Sequence, residues 1–402
     1  MKYFWLLFPL LFFLPAGCSE PKEEYSGGRE IAIDCGPSAP EYLEDYVDFS
    51  DFKYVRLEAN NSAPIGGIRK AMVFDGKIYV ADHRGKGIYI FDREGKFIKK
   101  PARLGPGEQE FARIGDFQID RELRQLIVLD SENGTLTFYD LDGDFIRRDT
   151  IGLDAVYFET TAEGYLFYQS PYYSPQDDTQ PYHLIRTDKQ YRILERLYNQ
   201  REVSGLGIPV PSRFAKDPQG NVLFAPVYSP FIFRVAQGRL TPEYRLKYSR
   251  GNVLDVEDLY SADSDPKALL DRLSEGAPQY FNGWLIENGD QLCLQTQKGL
   301  VPTYTTYFDK ESGRSLTLFS LKEDASNYRN ILFHPVVGSD RGYYISAFSD
   351  PSAIGLMKLE QARLPEDFKN AVLQHTDRDN PLLIFYLSST YKCNFLGADN
   401  KQ

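Results

Sequence analysis

The sequence predicts an all-β fold: a six-bladed β-propeller with its N-terminal strand closing the last blade and two small helical insertions. Three observations predict it. Segments recur 48 residues apart, hairpins follow one another without interruption, and a strand-forming stretch is left over at each end of the repeats. A four-stranded sheet cannot cover both of its own faces, whereas sheets stacked radially cover one another, and a period in the forties suits a propeller blade.

The elements follow in order. Lys77-Ile-Tyr-Val-Ala-Asp82 leads to Ile88-Tyr-Ile-Phe-Asp92, then to Phe97 and Ile98. Gln125-Leu-Ile-Val-Leu-Asp130 leads to Leu136-Thr-Phe-Tyr-Asp140, then to Phe145 and Ile146, each landmark 48 residues after its counterpart. Asp188 and Ile193 continue the series. Runs of β-branched and aromatic residues bounded by Asp and Gly read as strands. Asp92 to Gly95 and Asp140 to Gly143 read as tight turns, with glycine free to take positive φ. Fainter copies stand near Val222 and Phe231, Leu292 and Tyr304, and Tyr343 to Phe348. Blades one to five are expected over 65–100, 114–148, 155–198, 213–248 and 281–320. The sixth combines 331–387 with 53–57, which lies beside 382–387, because an unclosed ring would expose two aggregation-prone edges. Helices are expected within 256–274, where Asp263-Ser-Asp-Pro offers a capped start, and within 365–374.

Composition narrows the function. Of 402 residues, 46 are Lys or Arg against 57 Asp or Glu, a net charge of −11, so the basic footprint of a nucleic-acid binder is absent. With 4 His and 4 Cys, a zinc site has few ligands to draw on, and no metal or cofactor is expected. Asp140, Asp142 and Asp144 lack the remainder of a calcium loop, since the equivalent turn at Asp92 needs only Asp and Gly.

Residues 1–17 read as a targeting segment: Lys2, an apolar run from Tyr3 to Leu14 too short to span a bilayer, then small residues before Cys18. This resembles a bacterial lipobox, although Pro15 stands where such motifs prefer Leu. The resemblance implies that Cys18 is acylated and ties the protein to a membrane. Residues 18–30 form a tether, in which Lys22-Glu23-Glu24 resembles a surface-export signal of Bacteroidetes lipoproteins. An outer-membrane location follows, facing either the surface or the periplasm. The propeller occupies 31–390, and 391–402 is a tail. Cys35, Cys293 and Cys393 remain in an oxidising compartment, which permits one disulfide of unassigned pairing, with at least one buried free thiol.

Phe52-Lys-Tyr-Val-Arg-Leu-Glu58, Ile90 to Ile98, Leu104-Gly-Pro-Gly-Glu108 and Asn380-Pro-Leu-Leu-Ile-Phe-Tyr386 together resemble the six-bladed propeller lipoproteins of Bacteroidetes, related to NHL-repeat propellers. The resemblance implies architecture and leaves activity open.

In a propeller, the connections between second and third strands and those between blades emerge at one end, and here that end receives the long insertions. It is expected to carry His83, Arg84, Glu108, Glu132, Asn133, Tyr172, Tyr173 and Tyr182. The tyrosines suit stacking on a sugar or peptide and equally suit packing the insertion. His83 is the best-placed acid–base group, against the commoner role of a loop hydrogen-bonder. His183 and His334 read as packing residues, Asp82 and Asp130 as strand-end caps, and Gly105-Pro-Gly107 as a blade crossover. No catalytic fingerprint appears. Two functions follow: a membrane-anchored, non-catalytic module binding a glycan, glycopeptide or envelope protein, or a metal-assisted hydrolase or lyase centred on the channel.

Overall fold

A computed structural model describes residues 25–35, 42–59, 64–83, 86–107, 109–169, 182–199, 210–217, 219–255, 265–300, 303–320 and 327–388. It is a six-bladed propeller. Innermost to outermost, blade one is Ile68–Phe74, Lys77–Asp82, Gly87–Asp92 and Phe97–Arg103. Blade two is Ile114–Asp120, Gln125–Asp130, Thr135–Asp140 and Phe145–Thr150. Blade three is Ala155–Thr160, Gly164–Gln169, Leu184–Asp188 and Ile193–Leu197. Blade four begins with Phe214–Lys216, Val222–Phe224, Phe231–Ala236 and Arg239–Tyr248, and blade five is Gln279–Glu287, Gln291–Lys298, Thr303–Asp309 and Ser315–Phe319.

Blade six is Val336–Asp340, Tyr343–Phe348 and Leu382–Ser388, completed by Val47–Arg56. The closure is antiparallel, with Lys53 opposite Phe385 and Arg56 opposite Leu382, as expected. The closing strand is longer than its predicted core, starting at Val47 and bulging between Asp48 and Lys53. The repeated turns share one device. Asp92 accepts hydrogen bonds from the backbone N–H of Glu94 and Lys96, Asp140 from Asp142 and Asp144, and Asp188 from Gln190 and Arg192. A carboxylate two residues before the bend thus mimics a backbone turn, which is why Asp recurs at this place.

One strand was not anticipated. Arg29–Ile33 adds a fifth strand to blade four, parallel to its outer strand, with Ile31 opposite Leu246 and Ile33 opposite Tyr248. The tether expected to extend to residue 30 therefore gives way to a strand at Arg29, and Tyr25 already stacks edge-on against Phe233 at 4.6 Å. Ile31 and Ile33 are fully buried against blade five, so apolar burial holds this short segment in place. Against blade six, Leu43 is fully buried and Glu44 forms a buried ion pair with Arg329 at 3.1 Å.

A helix forms in each of the two expected segments, residues 256–264 of the first lying outside the described residues. Helix α1, Pro266–Ser274, is capped by Asp265, whose carboxylate accepts from the N–H of Lys267. Helix α2, Glu366–Leu373, sits in the middle connection of blade six and buries Phe368 and Val372. Cys35 and Cys293 are buried free thiols. The third cysteine, Cys393, lies outside the described residues.

Candidate functional site

The inner strands decide what chemistry the centre of the ring can offer, and their buried charges are spent on joining blades. Lys70 of blade one donates to Asp116 of blade two at 2.8 Å and to the carbonyl of Phe117 at 2.8 Å. Asp116 also accepts from the N–H of Phe158 in blade three at 3.4 Å, while Gln118 donates to the Phe158 carbonyl at 2.9 Å. Glu159 of blade three receives Lys216 of blade four at 3.1 Å, and the same ammonium donates to the Thr160 carbonyl. Arg213 precedes the inner strand of blade four and donates to the Asn282 carbonyl of blade five at 3.1 Å. Ser339 of blade six donates to the Glu287 carbonyl at 2.6 Å.

Burial raises the carboxyls of Asp116 and Glu287 above the ordinary range, against the pull of Lys70 and Lys310 respectively. The Lys70–Asp116 and Lys216–Glu159 pairs lace neighbouring sheets, whereas Glu287 and Lys310 pair within blade five. Among the described residues, no group of three or more His, Cys, Asp or Glu is gathered closely enough to hold a metal ion.

At the end bearing the insertions, the predicted residues are distributed over separate loops. His83 is exposed just past its strand, and its N–H donates to the Gly67 carbonyl at 2.8 Å. The side chain of Asn133 is tied to Asp130 at 2.9 Å, and Glu132 faces Arg113 at 3.8 Å. Asp130 is a cap, as expected: its carboxylate accepts from the N–H groups of Ala112, Arg113, Glu132 and Asn133. Tyr182 is half-buried and packs against the cluster between blades two and three, the packing role of the two weighed for it. Cys18, Arg84, Glu108, Tyr172 and Tyr173 lie outside the described residues.

His183 is half-buried with Nδ1 3.1 Å from the Gln169 carbonyl, and His334 is buried, its imidazole pushed down to about 3 by desolvation. Both are packing residues. The Gly105 to Gly107 segment is a crossover that wraps the Glu110 carboxylate, which accepts from the N–H of Gly107 at 2.8 Å and from Arg103 at 2.8 Å.

A concave site does form at this end, one blade beyond the predicted tyrosines. A cavity of about 450 Å³ lies where blade four meets blade five, walled by Tyr228, Pro230, Tyr248, Val253, Gln279 and Tyr280 among others. Its walls are fixed by backbone. The N–H of Tyr228 donates to the Phe281 carbonyl at 2.9 Å, Gln279 and Asn252 bond at 2.7 Å, and the N–H of Leu254 donates to Gln279 at 2.9 Å. The rings of Tyr228 and Tyr280 lie 5.3 Å apart.

Tyr248 Oη and Gln279 Oε1, both in these walls, are buried without a hydrogen-bond partner among the described residues. Gln279 is only 2% exposed, and its amide nitrogen is held by the Arg250 carbonyl at 2.5 Å, so the unmatched oxygen cannot turn away cheaply. A second cavity of about 480 Å³ adjoins across Pro230, Tyr248 and Val253 and is edged by Glu30, Arg245 and Lys247. Nothing in the sequence marked these residues together: the three tyrosines stand apart in a stretch where the repeat is degenerate.

The comparisons with known proteins agree with the architecture. A crystal structure from Bacteroides fragilis, of a protein named as a candidate exported protein, superposes with a TM-score of 0.75 at 14% identity, covering 89% of this chain and 99% of that one. A DUF4221-family protein of Bacteroides vulgatus gives 0.45 at 10% identity, covering 83% and 96%, and virginiamycin B lyase of Staphylococcus aureus gives 0.42 at 12%, covering 73% and 82%. Both are too distant to carry an argument about chemistry. No curated protein matches the chain. The family model described as "Domain of unknown function (DUF4934)" matches residues 31–387, and the chain belongs to that family.

Proposed function

We propose that this protein is a non-catalytic binding module of the cell envelope, tethered through an acylated Cys18 and presenting a saccharide-binding groove between blades four and five. The single observation that carries the reading is that groove. It is preformed and lies at the insertion-bearing end, with three tyrosines and two unmatched polar atoms in its walls. An aromatic face supplies apolar area to a sugar ring. A buried unmatched oxygen costs about 1–3 kcal/mol until a hydroxyl or water meets it. The commitment of Asp116, Glu159 and Glu287 to lysines supports binding over acid–base chemistry at the axis. The kinship with NHL-like lipoproteins and the outer-membrane location, on the surface or facing the periplasm, belong to the same reading. Among the described residues, no helix is long and apolar enough to cross a membrane.

The test is a glycan array probed with the purified mature chain. Saccharide binding that falls at least tenfold in Tyr280→Ala, a loss of about 1.4 kcal/mol, is the expected result. An array without hits, or hits indifferent to Tyr228→Ala and Tyr280→Ala but lost in Tyr172→Ala with Tyr173→Ala, removes the groove from consideration. For the tether, Cys18→Ser should move the protein from the membrane to the soluble fraction.

A further inference from the structure

The second cavity suggests what kind of saccharide the groove selects. Arg245 and Lys247 alternate with the buried Leu246 along the outer strand of blade four, so both cations stand on the exposed side of the sheet. Lys247 is neutralised by Glu30 at 3.0 Å. Arg245, although opposite Glu30 in the register, has no carboxylate partner among the described residues, and its guanidinium lies 5.9 Å from the Phe231 ring centre. A planar guanidinium with free donors, poised beside a groove, favours a carboxylate that it can grip with two parallel hydrogen bonds. The protein as a whole carries −11, which disfavours a densely charged polyanion, yet this repulsion is screened beyond about 8 Å at physiological salt and leaves an isolated carboxylate free to approach.

Resting on the binding reading above, we infer that the groove recognises a saccharide with sparse carboxylates, of the uronate type. A neutral ring lies against Tyr228 and Tyr280 with a hydroxyl donating to Gln279 Oε1, and an acidic residue of the same chain is held by Arg245 across the ridge of Pro230, Tyr248 and Val253. The two cavities then act as adjacent subsites, one for ring and hydroxyl, one for charge.

The experiment pairs uronate-containing oligosaccharides with their carboxyl-reduced, neutral counterparts on one array, with heparin as the dense polyanion, probed with the full mature chain and with Arg245→Met. Arg245 is exposed, so the replacement leaves the fold intact. The expected result is uronate binding that weakens about tenfold on carboxyl reduction, a preference that disappears in Arg245→Met, and heparin bound no better than the uronates. Equal binding to uronates and their reduced forms overturns this inference and leaves the saccharide reading standing. So does a preference that survives Arg245→Met, or one dominated by heparin. Failure to bind either member of every pair overturns both.

Discussion

Replacing Lys70 with Met tests whether the inner ring is held together as argued. Lys70 is 7% exposed and Asp116 1% exposed, and the ammonium is the only side-chain cation bonded to that carboxylate among the described residues. Deleting one member of a buried pair costs about 3–5 kcal/mol, because the remaining charge is left in a poor solvent. Here the carboxylate would keep the N–H of Phe117 at 2.8 Å and that of Phe158 at 3.4 Å, which places the expected loss at the lower end, about 3 kcal/mol. Replacing both partners, Lys70→Met with Asp116→Leu, removes the stranded charge and should recover most of it.

Guanidinium unfolding followed by the fluorescence of Trp284, which lies on the inner strand of blade five, reads the effect at the ring itself. The pH dependence supplies a second check. Burial already raises the Asp116 carboxyl, and loss of Lys70 removes the largest opposing influence. A carboxyl whose folded value exceeds its unfolded value binds more protons when folded, so stability rises as pH falls through that window. The defect of Lys70→Met should therefore shrink toward acid pH. A single variant within about 0.5 kcal/mol of wild type, or a double variant no better than the single, would refute the reasoning.

Three further outcomes follow from the same packing. Gly338→Ala would put a Cβ 2.1 Å from the Ala71 carbonyl at the contact between blades six and one, so it should cost about 3 kcal/mol by the same unfolding assay, the upper range of an overpacked core. His334 stays neutral when folded down to about 3, whereas an unfolded histidine protonates near 6.5. Its contribution is therefore present above that value and declines as pH falls toward 3, by up to about 1.4 kcal/mol per pH unit. The stability difference between wild type and His334→Asn should shift accordingly between pH 6.5 and 4.5, and a flat difference contradicts it. Burial pushes the Cys35 thiol up to about 11 and that of Cys293 higher, so iodoacetamide at pH 8 should leave both unmodified in the native chain and label both after unfolding, read by peptide mass spectrometry.

The propeller was legible because its signals are local. Asp92, Asp140 and Asp188 each build a turn from atoms within four residues, and the strands between them are buried runs that no other period explains. Closure by residues 53–57 was legible for a negative reason: the last blade lacked a strand and the N-terminus had one to spare. Arg29–Ile33 escaped notice since it is short, pairs in parallel and finds its partner more than 200 residues later, with no turn to announce it. The polar Asp48, Ser50 and Asp51 likewise hid the first half of the closing strand, where the bulge interrupts the pairing. The groove was the least legible. Tyr228, Tyr248 and Gln279 meet through one crossover and a degenerate repeat, whereas the tyrosine-rich run from 172 to 182 drew the expectation because its residues are neighbours in sequence.

The unanticipated strand also ties the tether to the groove. Because Arg29–Ile33 runs along the outer strand of blade four, the chain enters the ring beside the second cavity, and Glu30 forms part of that cavity's edge. Tyr25, seven residue steps after Cys18, packs at the boundary of blades three and four. At most about 3.6 Å per residue, these steps reach no further than about 25 Å. An acyl anchor on Cys18 would therefore hold the ring by the flank that carries the groove, not by the opposite side. Strand pairing and the buried Ile31 and Ile33 fix the point where the chain joins the ring, so the same apolar burial that seals blade four to blade five would set how near such an anchor holds the proposed site.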